Sequence, residues 1–193
     1  MKEKERKEIR VVIAEDEPIT RMDLKEMLVA AGYNVVGEAS EGFDAIEICK
    51  KKEPDVVILD IKMPLLDGLS AAKVITEEKT AGTVILLTAY SDEDFIDRAT
   101  KIGVSGYIVK PVDEKALVPS IQIAVARSRE MKKIKQQCEM VTERLESRTV
   151  IEKAKGQLMI SMRLSESEAY EYIKRLSKEK KVSMKRIAEI ILA

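Results

Sequence analysis

The sequence predicts a doubly wound α/β domain over its first two thirds and an all-helical remainder. Three observations carry this reading. Five short β-rich apolar runs lie in the first ~115 residues, without polar alternation, as expected of parallel strands buried on both faces. A helix-like amphipathic stretch follows each of the first four runs. The back third has no such run and no proline after Pro119.

The elements follow in order. Val11-Val12-Ile13-Ala14 leads into a helix over Ile19–Ala31, and Gly32 closes that join. Val35-Val36 precedes a helix over Asp44–Lys52, ended by Pro54. Val56-Val57-Ile58-Leu59 precedes Leu69–Glu78, and after Gly82, Val84-Ile85-Leu86-Leu87 precedes Asp92–Lys101. Gly103 then introduces Tyr107-Ile108-Val109.

In the back third, Met131, Ile134, Cys138, Val141 and Leu145 are spaced 3, 4, 3, 4, a two-heptad seam that suits either dimerisation or packing against the chain's own C-terminal helices. Three helices follow, over Arg148–Met162, Ser165–Lys178 and Ser183–Leu192. Ser165 and Glu168 form a capping-box pattern at the start of the second. The core faces are Ile151, Ala154, Leu158 and Met162; Ala169, Ile173 and Leu176; and Ile187, Ile190 and Ile191. The expected domains are a charged arm (1–8), an α/β domain (9–126), a helical linker with coiled-coil character (127–147) and a three-helix bundle (148–193).

Composition narrows the chemistry. Among 193 residues there is no histidine, which excludes Ser-His-Asp and Cys-His catalysis, His-ligated metals and a phosphohistidine on this chain. Cys49 and Cys138 have no CxxC or zinc-like spacing and suit reduced thiols. No apolar run reaches the ~18–20 residues of a membrane helix, and the start MKEKERKEIR lacks a secretory-signal core. A cytoplasmic protein without a membrane partner is expected. The zero net charge hides an asymmetry. Residues 1–126 carry 17 Lys+Arg against 24 Asp+Glu, net −7; residues 127–193 carry 17 against 10, net +7. A basic back part favours polyanions.

Ligands of a parallel α/β sheet gather outside the carboxyl ends of its strands. The residues there are Glu15 and Asp16 after the first run, Asp60 after the third, Thr88 after the fourth and Lys110 after the fifth. Three carboxylates converging without His or Cys suit a hard cation such as Mg²⁺. Lys110 and Thr88 would meet an anion beside it. This is equipment for phosphoryl transfer to an aspartate.

Glu15-Asp16-Glu17-Pro18, Leu59-Asp60-Ile61-Lys62-Met63-Pro64 with Asp67-Gly68, Leu87-Thr88-Ala89 and Gly106-Tyr107-Ile108-Val109-Lys110-Pro111 together closely resemble a two-component response-regulator receiver domain. The resemblance implies a flavodoxin-like five-stranded sheet of order 2-1-3-4-5. It makes Asp60 the phosphoacceptor, served by a sensor histidine kinase. Glu15, Asp16, Asp60 and the Lys62 backbone carbonyl become Mg²⁺ ligands. Lys110 becomes the phosphoryl partner, and Thr88 and Tyr107 the switch residues. It also implies a cis Lys110-Pro111 bond.

Residues from about 148 onward resemble the ANTAR domain of transcription antiterminators, an RNA-binding module. The resemblance rests on Arg148, Ile151, Ala154-Lys155-Gly156, Leu158-Met159, Ser165-Glu166, Glu168-Ala169 and Ile187-Ala188. The whole chain resembles the ethanolamine-utilisation type of antiterminator regulator. The resemblance implies a non-enzymatic regulator that, when phosphorylated, binds hairpin RNA in mRNA leaders, as a homodimer, and prevents termination.

At 100° per residue, Arg148, Lys155 and Arg163 share a sector of about 80° beside the first helix's core face. Gly156 borders it, and reads either as a tight helix contact or as a place of close RNA approach. Lys185 and Arg186 are further candidate RNA contacts, and Tyr170 and Tyr172 candidate stacking platforms. Two other readings of the chain stand beside this one: a DNA-binding response regulator and a phosphorylation-switched protein-interaction module.

Overall fold

A computed structural model describes residues 8–89 and 93–193. It alternates β1 (Arg10–Ala14), α1 (Pro18–Ala30), β2 (Asn34–Ala39), α2 (Gly42–Lys52), β3 (Val56–Asp60), α3 (Gly68–Glu78), β4 (Val84–Thr88), α4 (Glu93–Ile102) and β5 (Gly106–Val109), then continues in α5 (Glu114–Ser161), α6 (Glu166–Lys180) and α7 (Met184–Leu192). The expected arm lies outside the described residues except for Glu8, as does the expected helix start at Asp92.

The five strands form one all-parallel sheet in the order β2-β1-β3-β4-β5, the expected doubly wound arrangement. The unalternating runs follow from burial on both faces. Val11, Ile13, Val56, Ile58, Ile85 and Leu87 pack with Leu24 and Leu28 of α1 and with Leu117 and Ile121 of α5. Their neighbours Val12, Ala14, Val57, Leu59, Val84 and Leu86 pack with Ala45 and Cys49 of α2 and with Leu69, Ala72 and Ile75 of α3. Each such Leu, Ile or Val contributes about 1.5–3 kcal/mol when buried. The edge strand β2 is only partly covered, and its pairing with β1 shifts register between Val11 and Val12.

The helix expected over Arg148–Met162 is not a separate element. It is the end of α5, a 48-residue helix with Pro119 near its start. Between Pro119 and Gly156 the sequence has neither Gly nor Pro, so nothing interrupts propagation. The chain divides into two compact units at Met131/Lys132, a point within α5. Every residue of the Met131–Leu145 seam is exposed.

In the second unit, Ala154 and Leu158 of α5, Ala169 and Ile173 of α6 and Ile187 and Ala188 of α7 form the core. Two expected core residues are outside it. Met162 lies beyond the last helical residue of α5 and is exposed, and Ile190 is exposed while Ile187, Ala188 and Ile191 of α7 pack in the core. Ser165 caps α6 through a complete capping box: the Glu168 carboxylate accepts from Ser165 N–H at 2.8 Å, and Ser165 Oγ accepts from Glu168 N–H at 3.3 Å. Ser183 caps α7 by accepting from Arg186 N–H at 3.2 Å. No helix among the described residues is long and apolar enough to cross a membrane.

Candidate functional site

The sheet delivers its candidate residues to one place. Asp60 and Thr88 are the last residues of β3 and β4, Glu15 and Asp16 directly follow β1, and Lys110 directly follows β5. Backbone bonds fix these turns: Glu15 N–H donates to the Ala39 carbonyl at 3.1 Å, and Lys110 N–H to the Thr88 carbonyl at 2.7 Å. The Lys110-Pro111 bond is cis.

Glu15 is 1% exposed and Asp60 is 5% exposed, while Asp16 is open to solvent. A carboxylate oxygen from each lies within 4.8 Å of the other two. Lys110 Nζ bridges the two buried ones, 2.7 Å from Glu15 Oε2 and 3.1 Å from Asp60 Oδ2. Burial holds the Glu15 and Asp60 carboxyls above their ordinary pKa, and hydrogen bonding to Lys110 offsets this only in part. The charge of Asp60 adds to the rise at Glu15, and that of Asp16 to the rise at Asp60. Burial works against the Lys110 ammonium, but its hydrogen bonds to Glu15 and Asp60 outweigh that and raise its pKa. One ammonium facing three carboxylates leaves a negative excess, and oxygen-only donors fit a hard divalent cation.

The remaining receiver candidates lie on β4 and β5 and in the turn after β3. Lys62 is two residues past Asp60 in the turn after β3. Thr88 is buried, whereas Tyr107 on β5 is 47% exposed. Two contributions had no assigned role in the sequence reading. Arg21 of α1 donates from Nη1 to the Glu15 carbonyl, pinning that turn. Gly68, at the start of α3, lies against Asp60 so closely that a Cβ there would collide with the Asp60 carbonyl oxygen. Its N–H donates to the Ile61 carbonyl at 3.0 Å, and Asp67 caps α3 by accepting from Ser70 N–H at 2.7 Å. The Asp67-Gly68 pair was visible in the motif, but the contact that requires glycine is tertiary.

In the second unit the basic candidates separate. Arg148 and Arg163 are exposed, the latter in the left-handed region just past α5 (φ 52°). Arg186 is exposed and pairs with Glu189 at 3.2 Å, and Lys185 lies 3.5 Å from Glu146. Lys155 does not join the open flank. It is 6% exposed, with Nζ 2.7 Å from Glu166 Oε1 and 2.9 Å from Glu152 Oε2. Hydrogen bonds to Glu166 and then Glu152 raise its pKa, and hydrogen bonding to Lys155 lowers that of Glu166. Nothing lies within 4 Å of a Cβ built on Gly156, so no tight helix contact occurs there. The tyrosines also separate: Tyr172 packs against the three-helix core with the Arg175 guanidinium 5.4 Å from its ring centre, while Tyr170 is exposed.

Comparison with known proteins agrees with this geometry. The family model "Response regulator receiver domain" matches residues 11–122, and the model "ANTAR domain" matches residues 139–192. The chain is 42% identical over 183 residues to the transcriptional regulatory protein PdtaR of Mycobacterium tuberculosis, covering 95% of this chain and 89% of that protein. It is 36% identical over 112 residues to the chemotaxis protein CheY of Thermotoga maritima, covering 58% of this chain and 93% of CheY. Among solved structures, the CheX–CheY–BeF3–Mg complex of Borrelia burgdorferi aligns with a TM-score of 0.56 and 29% identity, over 58% of this chain and 86% of that one. With an acidic cluster at the strand ends of a 2-1-3-4-5 sheet and a three-helix unit later in the chain, this chain belongs to the response-regulator family, as a receiver domain followed by an ANTAR domain.

Proposed function

We propose that Asp60 accepts a phosphoryl group from the phosphohistidine of a sensor histidine kinase, and that the phosphorylated chain binds hairpin RNA in mRNA leaders and prevents transcription termination. The observation that carries the first half is the Lys110 bridge between Glu15 and Asp60. A carboxylate nucleophile held beside a fixed ammonium, in a cluster with excess negative charge, suits an incoming phosphoryl group accompanied by a divalent cation. Glu15, Asp16, Asp60 and the Lys62 carbonyl would hold Mg²⁺. The ion would offset phosphoryl and carboxylate charge. Lys110 orients Asp60 and neutralises the phosphoryl oxygens, and Thr88 and Tyr107 relay the change. The bond broken is the kinase's N–P bond, the bond formed joins phosphorus to an Asp60 oxygen, and the freed imidazole takes up a proton.

RNA as the output rests on the ANTAR match together with the +7 charge of residues 127–193 and the exposed Arg148 and Arg163. The exposed Met131–Leu145 seam supplies an apolar face for a homodimer of the phosphorylated form. Titrating hairpin RNA against duplex DNA, with and without acetyl phosphate and Mg²⁺, tests the output, and sedimentation of the same samples tests the dimer. Equal binding of duplex DNA would replace RNA with DNA as the target. A sedimentation coefficient that ignores phosphorylation would remove the dimer.

A further inference from the structure

The geometry points to an effector site for a small organic monocarboxylate in the pocket between the β3–α3 turn and α4. The pocket has a volume of about 490 Å³ and is lined by Ile61, Lys62, Met63, Asp67, Leu69 and Arg98. That lies within the roughly 300–1,000 Å³ of small-molecule sites. It is separate from the acidic cluster, since none of Glu15, Asp16, Asp60 and Lys110 lines it.

The walls divide by chemistry. Ile61, Met63 and Leu69 are buried members of the core and form an apolar floor. Lys62, Asp67 and Arg98 are exposed and stand at the mouth. Asp67 is already engaged, its Oδ1 accepting from Ser70 N–H at 2.7 Å. Two cations and one carboxylate leave a single positive charge, which attracts an anion. A carboxylate matches that charge, whereas a phosphate monoester carries about −1.5 to −2 at neutral pH and would meet Asp67 with an excess. The Arg98 guanidinium offers paired donors for the two carboxylate oxygens. The Met63 thioether and Leu69 beneath suit an apolar body.

The pocket shares its backbone with the phosphoacceptor turn. Ile61 directly follows Asp60; its N–H donates to the Leu87 carbonyl and its carbonyl accepts from Gly68 N–H, both at 3.0 Å. Lys62 lines the pocket with its side chain, two residues from Asp60. An occupant that neutralises Lys62 and Arg98 removes positive charge beside the cluster proposed above to hold Mg²⁺. Occupancy therefore raises Mg²⁺ affinity, and Mg²⁺ raises occupancy by the same factor.

The test uses the full chain, with benzoate as the probe and methyl NMR of Met63 and Leu69 in metal-free buffer as the readout. Benzoate is expected to shift both methyls saturably. Benzamide lacks the charge and acetate the apolar body, and each should bind weaker by about tenfold or more. Arg98→Gln should weaken benzoate by about tenfold, with thermal melts certifying that the variant is folded. Saturating benzoate should lower the Mg²⁺ concentration at half-occupancy by about fivefold, read from the Asp16 and Asp60 amide shifts. No saturable methyl shift overturns the site. Benzamide or inorganic phosphate binding as tightly as benzoate overturns the monocarboxylate assignment. Shifts at the Glu15 and Lys110 amides in place of the two methyls would put the anion on the acidic cluster's ammonium, and the proposal falls. Benzoate that binds but leaves Mg²⁺ affinity unchanged overturns the regulatory role. A chain that binds no Mg²⁺ at all would overturn the metal reading, while the methyl shifts would still decide the pocket.

Discussion

Lys155 reaches from α5 to the first residue of α6, placing its Nζ 2.7 Å from Glu166 Oε1 while it also holds Glu152 on its own helix. One ammonium thus ties the α5–α6 corner, beside the Ser165–Glu168 capping box that orders the start of α6. The clamp has a second effect, because Glu152 is the carboxylate one turn from Arg148.

Lys155→Met is therefore expected to weaken RNA binding without removing a phosphate contact. The slope of log affinity against log salt should stay at the wild-type value, whereas Arg163→Ala should flatten it by about one unit, as for a lost phosphate contact. RNA titrations from low to moderate salt measure both. Equal flattening by the two variants would return Lys155 to the RNA surface.

The same corner gives a pH dependence. Glu166 and Glu168 sit below the ordinary glutamate pKa, the first through hydrogen bonding to Lys155 and the second through hydrogen bonds to Ser165. Depressed carboxylates contribute stability that is present above their unfolded value, about 4.3, and lost as pH falls through the folded values. Lys155 is shifted upward, so its contribution is intact at neutral pH and disappears only in the far alkaline range. Hydrogen-exchange protection factors of the α6 amides, referred to the intrinsic rate at each pH, should fall below about pH 4 more than in Glu166→Gln, whose acid limb should be flatter.

At the strand ends, Asp60→Asn should abolish Mg²⁺-dependent labelling by a phosphodonor. In metal-free buffer the same variant should be more stable than wild type at neutral pH, since burial makes the folded state disfavour the Asp60 charge. Added Mg²⁺ should raise the wild-type melting temperature, by preferential binding to the folded state, and raise that of Asp60→Asn far less. Undiminished labelling of Asp60→Asn would move the acceptor elsewhere.

Gly68→Ala should cost about 1–3 kcal/mol, the usual range for forced overpacking, because its Cβ would collide with the Asp60 carbonyl. Labelling should slow as well, since relief of that collision displaces the turn bearing Asp60. Denaturant melts and labelling time courses check the two effects.

Gly156→Ala should have the opposite sign. No atom obstructs the new methyl, and alanine in place of a mid-helix glycine gains up to about 1 kcal/mol. A higher melting temperature combined with weaker RNA binding would identify Gly156 as a point of close RNA approach. Unchanged binding would free that surface of the assignment.

What the sequence reveals here depends on how local the cause is. The sheet was legible because Val56 to Leu59 and Val84 to Leu87 are apolar on both pleat faces, which leaves few alternatives to a parallel sheet. The acidic cluster was legible because each member occupies the same end of its strand. Lys155 was misplaced because a helical wheel knows only its own helix, whereas the carboxylate that covers Lys155 arrives from α6. Ile190 was misassigned for a related reason: α7 is short enough that several faces look apolar, and its docking against Ala154 and Ala169 selects Ile187, Ala188 and Ile191. Gly68 escaped because its role is defined by the backbone of Asp60, not by any neighbour in sequence.

The two cysteines differ sharply in reactivity. Cys49 is sealed between α2 and the sheet, and burial pushes its thiol pKa up to about 12, so it forms almost no thiolate at neutral pH. Cys138 lies exposed in the middle of the seam. The natural sequence thus supplies a single addressable labelling handle, placed on the face proposed above for pairing. A nitroxide attached there would report the spacing between paired chains without any engineered residue, and a bulky maleimide adduct would act as a wedge against pairing.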